Sequence, residues 1–286
     1  MKVKLLSHTK NPERVVSVAA KLCYAGCNID ELEENLTQEE MEKFINMLIR
    51  IGHESPLEHA TFTFAVEGVS RVTEQQLTRH RLASYSIQSG RYVSRDNAEF
   101  TMPEDIKTYD YLNEEYNDFC NAAKNIYKYI SDSLLTEYCY EYLVNNIKEY
   151  SSDIQQDETF IHNVMRTGHK KEYNSFKKKA IENARMMLPN SLQTKIIFTM
   201  NLRSLINFFE HRCCFRAQDE IRELANEMLK ICRKEFPLLF NKLGASCRKG
   251  YCPEGSMQCS QLKGVIPTLS DLQKSHLTLK QKRKLT

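Results

Sequence analysis

The chain has 286 residues, 41% of them hydrophobic, with 40 Lys and Arg against 37 Asp and Glu. A net charge of +3 excludes a surface that is basic throughout, as a general nucleic-acid binder needs, and leaves room for a local basic site. No stretch approaches eighteen apolar residues, which excludes a membrane-spanning helix, and the opening MKVKLLSHTKNPERVV has too short an apolar run for a signal peptide.

MKVKLL reads as a first strand. Asn11-Pro12 opens a helix through Val15, Val16, Ala19 and Leu22, because the fixed φ of proline suits a first helical turn. CYAGCNI, around Gly26, reads as a loop. Thr37 and Glu40 have capping-box spacing, and behind them Met41, Phe44, Ile45, Leu48 and Ile49 recur at helical spacing as far as Gly52. TFTFAVEG alternates Phe62, Phe64 and Val66 on one face and predicts a strand. VTEQQLTRHR predicts a helix that puts Gln76, Arg79 and His80 on one face. Tyr116, Phe119, Ala123, Ile126 and Ile130 suggest a surface-laid helix inside a polar stretch, 101–175, whose end from 151 reads as loop or weak helix. Ala180, Ile181, Ala184 and Leu188 stripe a helix over 176–188 that Pro189 and Asn190 stop. KIIFTMN predicts a strand, and Asn201 caps a helix over NLRSLINFFEHR. Ile221, Leu224, Ala225, Met228 and Cys232 mark a long helix ending before Pro237. Periodicity is then lost, and the chain finishes on the basic HLTLKQKRKLT.

Three stretches carry chemistry. RHRLASYSIQSGRY, residues 79–92, packs Arg79, His80, Arg81 and Arg91 around hydroxyls and a Ser-Gly pair. Arginine offers a planar fork of donors matched to phosphate or to a carbonyl-rich ring, and Gly90 lets a ligand approach the backbone. A solvated basic helix face followed by a turn accounts for the same residues. GHESPLEHATFTF, residues 52–64, gathers His53, Glu54, Glu58 and His59 around Pro56. The spacing is not the H-E-x-x-H of a zinc helix. No metal is expected there, and the readings that stand are a polar loop or a loop of hydrogen-bonding groups that touches an organic cofactor. NLRSLINFFEHRCCFRAQDEI, residues 201–221, sets Asn201, Arg203, Asn207, His211 and Arg212 among Leu and Phe. The ten cysteines are scattered; Cys213-Cys214 with Cys247, Cys252 and Cys259 could in principle join a metal, but C-x4-C-x6-C matches no common zinc pattern, and free cytosolic thiols are the expectation.

Together these stretches resemble the flavin-dependent thymidylate synthases, whose signature is Arg-His-Arg, seven residues, then Ser; here Arg79-His80-Arg81 is followed by LASYSIQ and Ser89. The resemblance extends to GHESPLEH and NLRSLINFFEHR. It implies an α/β fold of the α+β type, a twisted antiparallel sheet flanked by helices, in a cytoplasmic homotetramer with shared active sites. It implies a catalytic domain over 1–236, with a polar helical insertion near 101–175, and a partly mobile extension over 237–286. The implied reaction makes dTMP from dUMP, with methylenetetrahydrofolate as carbon donor and NADPH as reductant through FAD; no nucleic acid or membrane is a partner. Carried over by position, Ser55, Glu58, Arg79, His80, Arg81, Asn201, Arg203 and Asn207 would bind FAD. Gln76, Arg79, Ser89, Gly90, Arg91, Arg185 and Arg212 would bind dUMP. Arg212 would favour ionisation of the uracil ring at N3, and His53 would orient flavin and folate.

Two positions depart from the family pattern. Ile87 stands where relatives often carry Glu, and Arg216 where His or Asn is common. Ser89 has no general base within its motif, as a serine nucleophile would need. In the family picture the reduced flavin carries the methylene group, so Ser89 is expected to be a dUMP ligand.

Overall fold

A computed structural model describes residues 1–26, 28–33, 36–147, 157–261, 263 and 265–273. It is mixed α/β. In chain order the elements are β1 (Lys2–His8), α1 (Pro12–Tyr24), α2 (Ile29–Glu33), α3 (Gln38–Ile51), β2 (Thr61–Ser70), α4 (Arg71–Leu77), β3 (Ala83–Ile87), α5 (Glu104–Lys107), α6 (Asp110–Asn146), α7 (Glu158–Gly168), α8 (Lys170–Ala184), β4 (Gln193–Asn201), α9 (Leu202–Arg212), α10 (Asp219–Glu235) and α11 (Pro237–Phe240). The four strands form one antiparallel sheet in the order β1-β2-β4-β3. β1 pairs with β2 in a register that sets Val3 opposite Val66 and Leu5 opposite Phe64, and it slips by one residue between Leu5 and Ser7.

The chain divides into two compact units. The first comprises Met1–Glu67, Thr73–Ser86 and the chain from Ile196 onward. Its core follows from the alternation in β2: Phe62, Phe64 and Val66 all point inward. Phe62 meets Phe236 and Phe240 edge to face at 5.4 and 5.3 Å, and Phe64 stacks on Phe198 at 5.8 Å. Such aromatic contacts add to the burial of apolar area that drives the packing. α3 starts as expected, with the Thr37 hydroxyl accepting from Glu40 N and the Glu40 carboxylate accepting from Thr37 N, and ends on left-handed Gly52. In α1 the buried face is Pro12, Val16, Ser17 and Ala20, and Leu22 is 57% exposed. The buried stripe therefore runs at i, i+4 and i+8 from Pro12, off the row read from the larger side chains.

The second unit comprises Gly68–Val72 and Ile87–Lys195. α6 has 37 residues and spans about 55 Å. Its C-terminal half packs with α7 and α8 around Leu135, Cys139, Leu143, Ile161, Met165, Tyr173 and Ala180. Residues 158–168 and 170–184 are thus helical, where the sequence reads as loop or weak helix up to 175. The Asp157 carboxylate starts α7 by accepting from Thr159 N at 2.9 Å. The expected stripe on α6 is also rotated. Phe119 and Ile126 are 58% and 48% exposed; Ala123 of the expected stripe is buried, with Cys120 and Tyr127, which lay outside it.

Two further readings are corrected. The helix expected over VTEQQLTRHR ends at Leu77, so Arg79 and His80 sit on the turn beyond it and share no helical face with Gln76. Residues 83–87, inside the Arg-His-Arg stretch, form β3, a strand the sequence reading lacked. Ala83, Tyr85 and Ile87 alternate with Ser84 and Ser86, a five-residue strand pattern that the reading of the basic stretch as helix and turn passed over. The C-terminal HLTLKQKRKLT and residues 151–156 lie outside the described residues.

Candidate active site

In the first unit, Asn201 caps the start of α9, its side chain accepting from Ser204 N at 2.8 Å. Leu202, Leu205, Phe208 and Phe209 bury one face of α9. The other side carries Arg203, Asn207 and Glu210 to a cavity of about 1070 Å³. Arg79, His80 and Arg81 reach the same cavity from the turn before β3. That turn is held by Tyr85, whose hydroxyl lies 2.8 Å from the carbonyl oxygens of both Leu77 and His80. Burial pushes the Tyr85 phenol up to about 12, so it remains a donor.

His80 and Arg212 form the central pair. Arg212 Nε donates to His80 Nε2 at 3.1 Å, which requires that nitrogen to be unprotonated. Burial lowers His80 to about 4, helped by the positive charges of Arg212 and His211. The imidazole also meets Phe208 edge to face at 5.0 Å. His80 is therefore neutral near pH 7 and acts as a seat for Arg212, so the cations of the Arg-His-Arg motif are its two arginines.

Arg203 is engaged twice, by Glu54 at 2.9 Å through Nε and by Glu58 at 2.5 Å through Nη1. His53 sits in a short chain, with Nδ1 2.6 Å from the Tyr24 hydroxyl and Nε2 3.0 Å from the Ser55 hydroxyl. The loop GHESPLEH is a 3-10 turn over Ser55–His59 started by Pro56. Gln76 Nε2 donates to Gln218 Oε1 at 3.4 Å.

Of the residues expected at FAD, Arg79, His80, Arg81, Arg203 and Asn207 line the cavity, together with Arg212 from the dUMP set. Ser55, Glu58, Asn201, His53 and Gln76 belong to the same unit but do not line the cavity. Ser89, Gly90, Arg91 and Arg185 belong to the second unit. There Arg91 Nε pairs with Glu182 at 3.0 Å, and Arg91 N donates to Ser89 Oγ at 3.2 Å. A Cβ at position 90 would stand 3.2 Å from Arg185 Cδ, so glycine is what lets that arginine lie against the backbone. The sequence reading named Glu54 in its loop but not among the site residues, and it did not place Glu210, Phe215 or the cysteines at the cavity wall. Glu54 carried a signal, since it stands in the same loop as Glu58 and both face an arginine.

The donor set suits a large anionic ligand: arginines from two chain segments, an amide at Asn207, and a cavity at the upper end of small-molecule site volumes. The fold is mixed α/β, and the cavity has room for an organic ligand. The chain belongs to the family described as thymidylate synthase complementing protein, whose profile matches residues 4–238. Similar proteins named flavin-dependent thymidylate synthase include one from Clostridium tetani, 46% identical over 261 residues, covering 91% of this chain and 94% of its own length. One from Geobacter sulfurreducens is 37% identical over 267 residues, covering 93% and 96%. One from Pyrococcus furiosus is 36% identical over 263 residues, covering 89% and 90%.

Proposed function

We propose that the chain is a flavin-dependent thymidylate synthase that converts dUMP to dTMP, with methylenetetrahydrofolate as carbon donor and NADPH as reductant. The observation that carries the reading is the seating of Arg212 on a neutral His80 inside a cation-lined cavity. FAD, when bound, supplies the redox chemistry and the transfer of the one-carbon unit.

The chain's own residues bind, orient and stabilise charge. Arg79 and Arg81 offer forked donors to phosphate or to a carbonyl-rich ring edge, and Asn207 offers an amide. Arg203 has two of its donors occupied by Glu54 and Glu58, so it contributes its remaining donors and a fixed direction. A neutral His80 holds Arg212 by accepting from Nε. The other guanidinium donors are left to face a uracil that becomes anionic at N3, a charge that a preorganised cation stabilises. Ser89, Gly90, Arg91 and Arg185 supply nucleotide contacts, with glycine allowing close approach. His53 orients the flavin and folate, its ring fixed between Tyr24 and Ser55. No protein nucleophile is required. The working assembly is a cytoplasmic homotetramer.

The test compares two variants, each checked first for folding and bound flavin. At saturating dUMP, Arg212→Ala is expected to lower turnover about a hundredfold, roughly 3 kcal/mol of lost stabilisation. Ser89→Ala is expected mainly to raise the KM for dUMP. A flavin-loaded but inactive Ser89→Ala beside a nearly normal Arg212→Ala would make serine the nucleophile and overturn this assignment.

A further inference from the structure

Part of the cavity wall lies outside the stretch that the family profile matches. The profile ends at residue 238, yet Ser246, Cys247, Cys252, Pro253, Glu254 and Cys259 all line the cavity. They belong to a segment, 245–261, with almost no core of its own. Its two short turns, Ser246–Lys249 and Gly255–Met257, bury no residue, and Cys252 is its one buried residue. A segment that buries so little apolar surface is held by its polar contacts and opens at low cost.

Those contacts differ between base and tip. The base is tied down. Lys249 pairs with Glu210 of α9 at 2.6 Å, and Cys252 is bridged to Thr268, with Cys252 N donating to Pro267 O at 2.9 Å. Among the described residues, the hydrogen bonds that tie the tip, 253–259, to the chain before residue 238 come from one side chain. Arg216 Nη1 donates to Glu254 Oε2 at 2.9 Å and to Met257 O at 3.0 Å. Gly250 and Gly255, at φ +91° and +56°, bracket the passage from base to tip in a conformation that favours glycine. Arg216 is also one of the two positions where the chain departs from the family pattern. The tip gives that departure a partner.

We propose that residues 246–259 form a strap along the cavity, that Arg216 latches its tip through Glu254 and Met257, and that this latch sets how long a ligand in the cavity stays bound. The ligand is a flavin nucleotide, an assignment that rests on the function proposed above. Arg216 and Glu254 are positioning residues: they act through the wall they hold. Their side chains are 37% and 46% exposed, and an ion pair in such a setting is weak enough to break at each release. A latch of this kind acts chiefly on dissociation, the step in which closely related complexes differ most. The strap has its own electrostatic signature. Glu254→Arg adds positive charge to a cavity for an anionic ligand, so charge alone predicts slower release, whereas loss of the latch predicts faster release.

Two measurements on the full-length chain test this. Hydrogen exchange of the 253–259 amides, with and without added FAD, reports opening of the strap. Release of FAD on dilution, followed by the fluorescence of the freed flavin, reports retention. In the wild-type chain, bound FAD is expected to slow exchange across the tip. Arg216→Glu and Glu254→Arg should each speed that exchange and raise the release rate about three- to tenfold, and the two combined should return both toward the native values. Lys230→Gln, which removes an exposed ion pair of α10 with Glu227, should change neither. Tip exchange that is the same in the loaded and the empty wild-type chain would overturn the proposal without any variant. So would single variants that open faster yet release FAD at the native rate, or a double variant no slower than the singles. A wild-type chain that takes up no added FAD would overturn the flavin reading and this role with it, whereas one that holds FAD while the singles release it no faster would overturn the strap alone.

Discussion

His80 stands between two arginines in the sequence, and its surroundings make it a neutral acceptor. The consequence is a pH dependence with a definite sign. Its folded value, about 4, lies below the ordinary histidine value of 6.5, so the unfolded chain takes up the proton first. The stability that neutral His80 contributes is present above about pH 6.5 and is lost as pH falls toward 4. Denaturant melts between pH 7 and 4.5 should show stability declining, and His80→Phe should remove most of that slope. Equal slopes in the two proteins would mean that the imidazole is not desolvated. Arg203 gives a second expectation at this scale. With Arg81→Ala and Arg203→Ala combined, the purified protein should lose its flavin absorbance; full occupancy in the double variant would remove both arginines from the cofactor site.

At the scale of elements, α9 depends on its cap. Asn201→Ala should cost about 1 kcal/mol and disturb flavin retention, because the first turn it fixes carries Arg203; Asn201→Asp should restore the stability. A melt that does not change on removing the amide would show that the cap is redundant. Asn201, the capping box at Thr37 and Glu40, and the alternation of Phe62, Phe64 and Val66 were readable from sequence, since each is a rule about residues a few positions apart. β3 was missed although Ala83, Tyr85 and Ile87 alternate with two serines, because five residues inside a basic stretch were read for their donors and not for their period. Of the face of α6 only Ala123 was read; Cys120 and Tyr127 also lie inward and large Phe119 lies out. Packing against neighbouring helices chose that face, and the sequence does not name the neighbours. At the candidate site, single arginines were legible. The His80–Arg212 bond was not, because it joins segments far apart in the chain.

For the molecule as a whole, the two units with their separate cores bear on cooperativity. Leu143 is fully buried in the cluster formed by α6, α7 and α8. Leu143→Ala should cost about 2–5 kcal/mol, and calorimetry should show one of two transitions moving while the other stays. A single transition that shifts intact would mean that the units unfold together. Assembly is a separate expectation. Light scattering on the flavin-loaded protein should give a mass near four chains, and an active, flavin-loaded monomer would contradict shared active sites.

The chain of hydrogen bonds through Tyr24, His53 and Ser55 has one more implication. It has two polarities of equal charge. In one, Tyr24 donates to Nδ1 and Nε2–H donates to Ser55; in the other, Ser55 donates to Nε2 and Nδ1–H donates to Tyr24. Reversal moves no net charge and needs no titration, so α1 and the Ser55–His59 turn share one binary setting, the tautomer of a single ring. Nitrogen NMR of His53 reads that setting directly. An averaged tautomer is expected in the native chain, and Tyr24→Phe should lock the ring into one state by silencing the helix's vote.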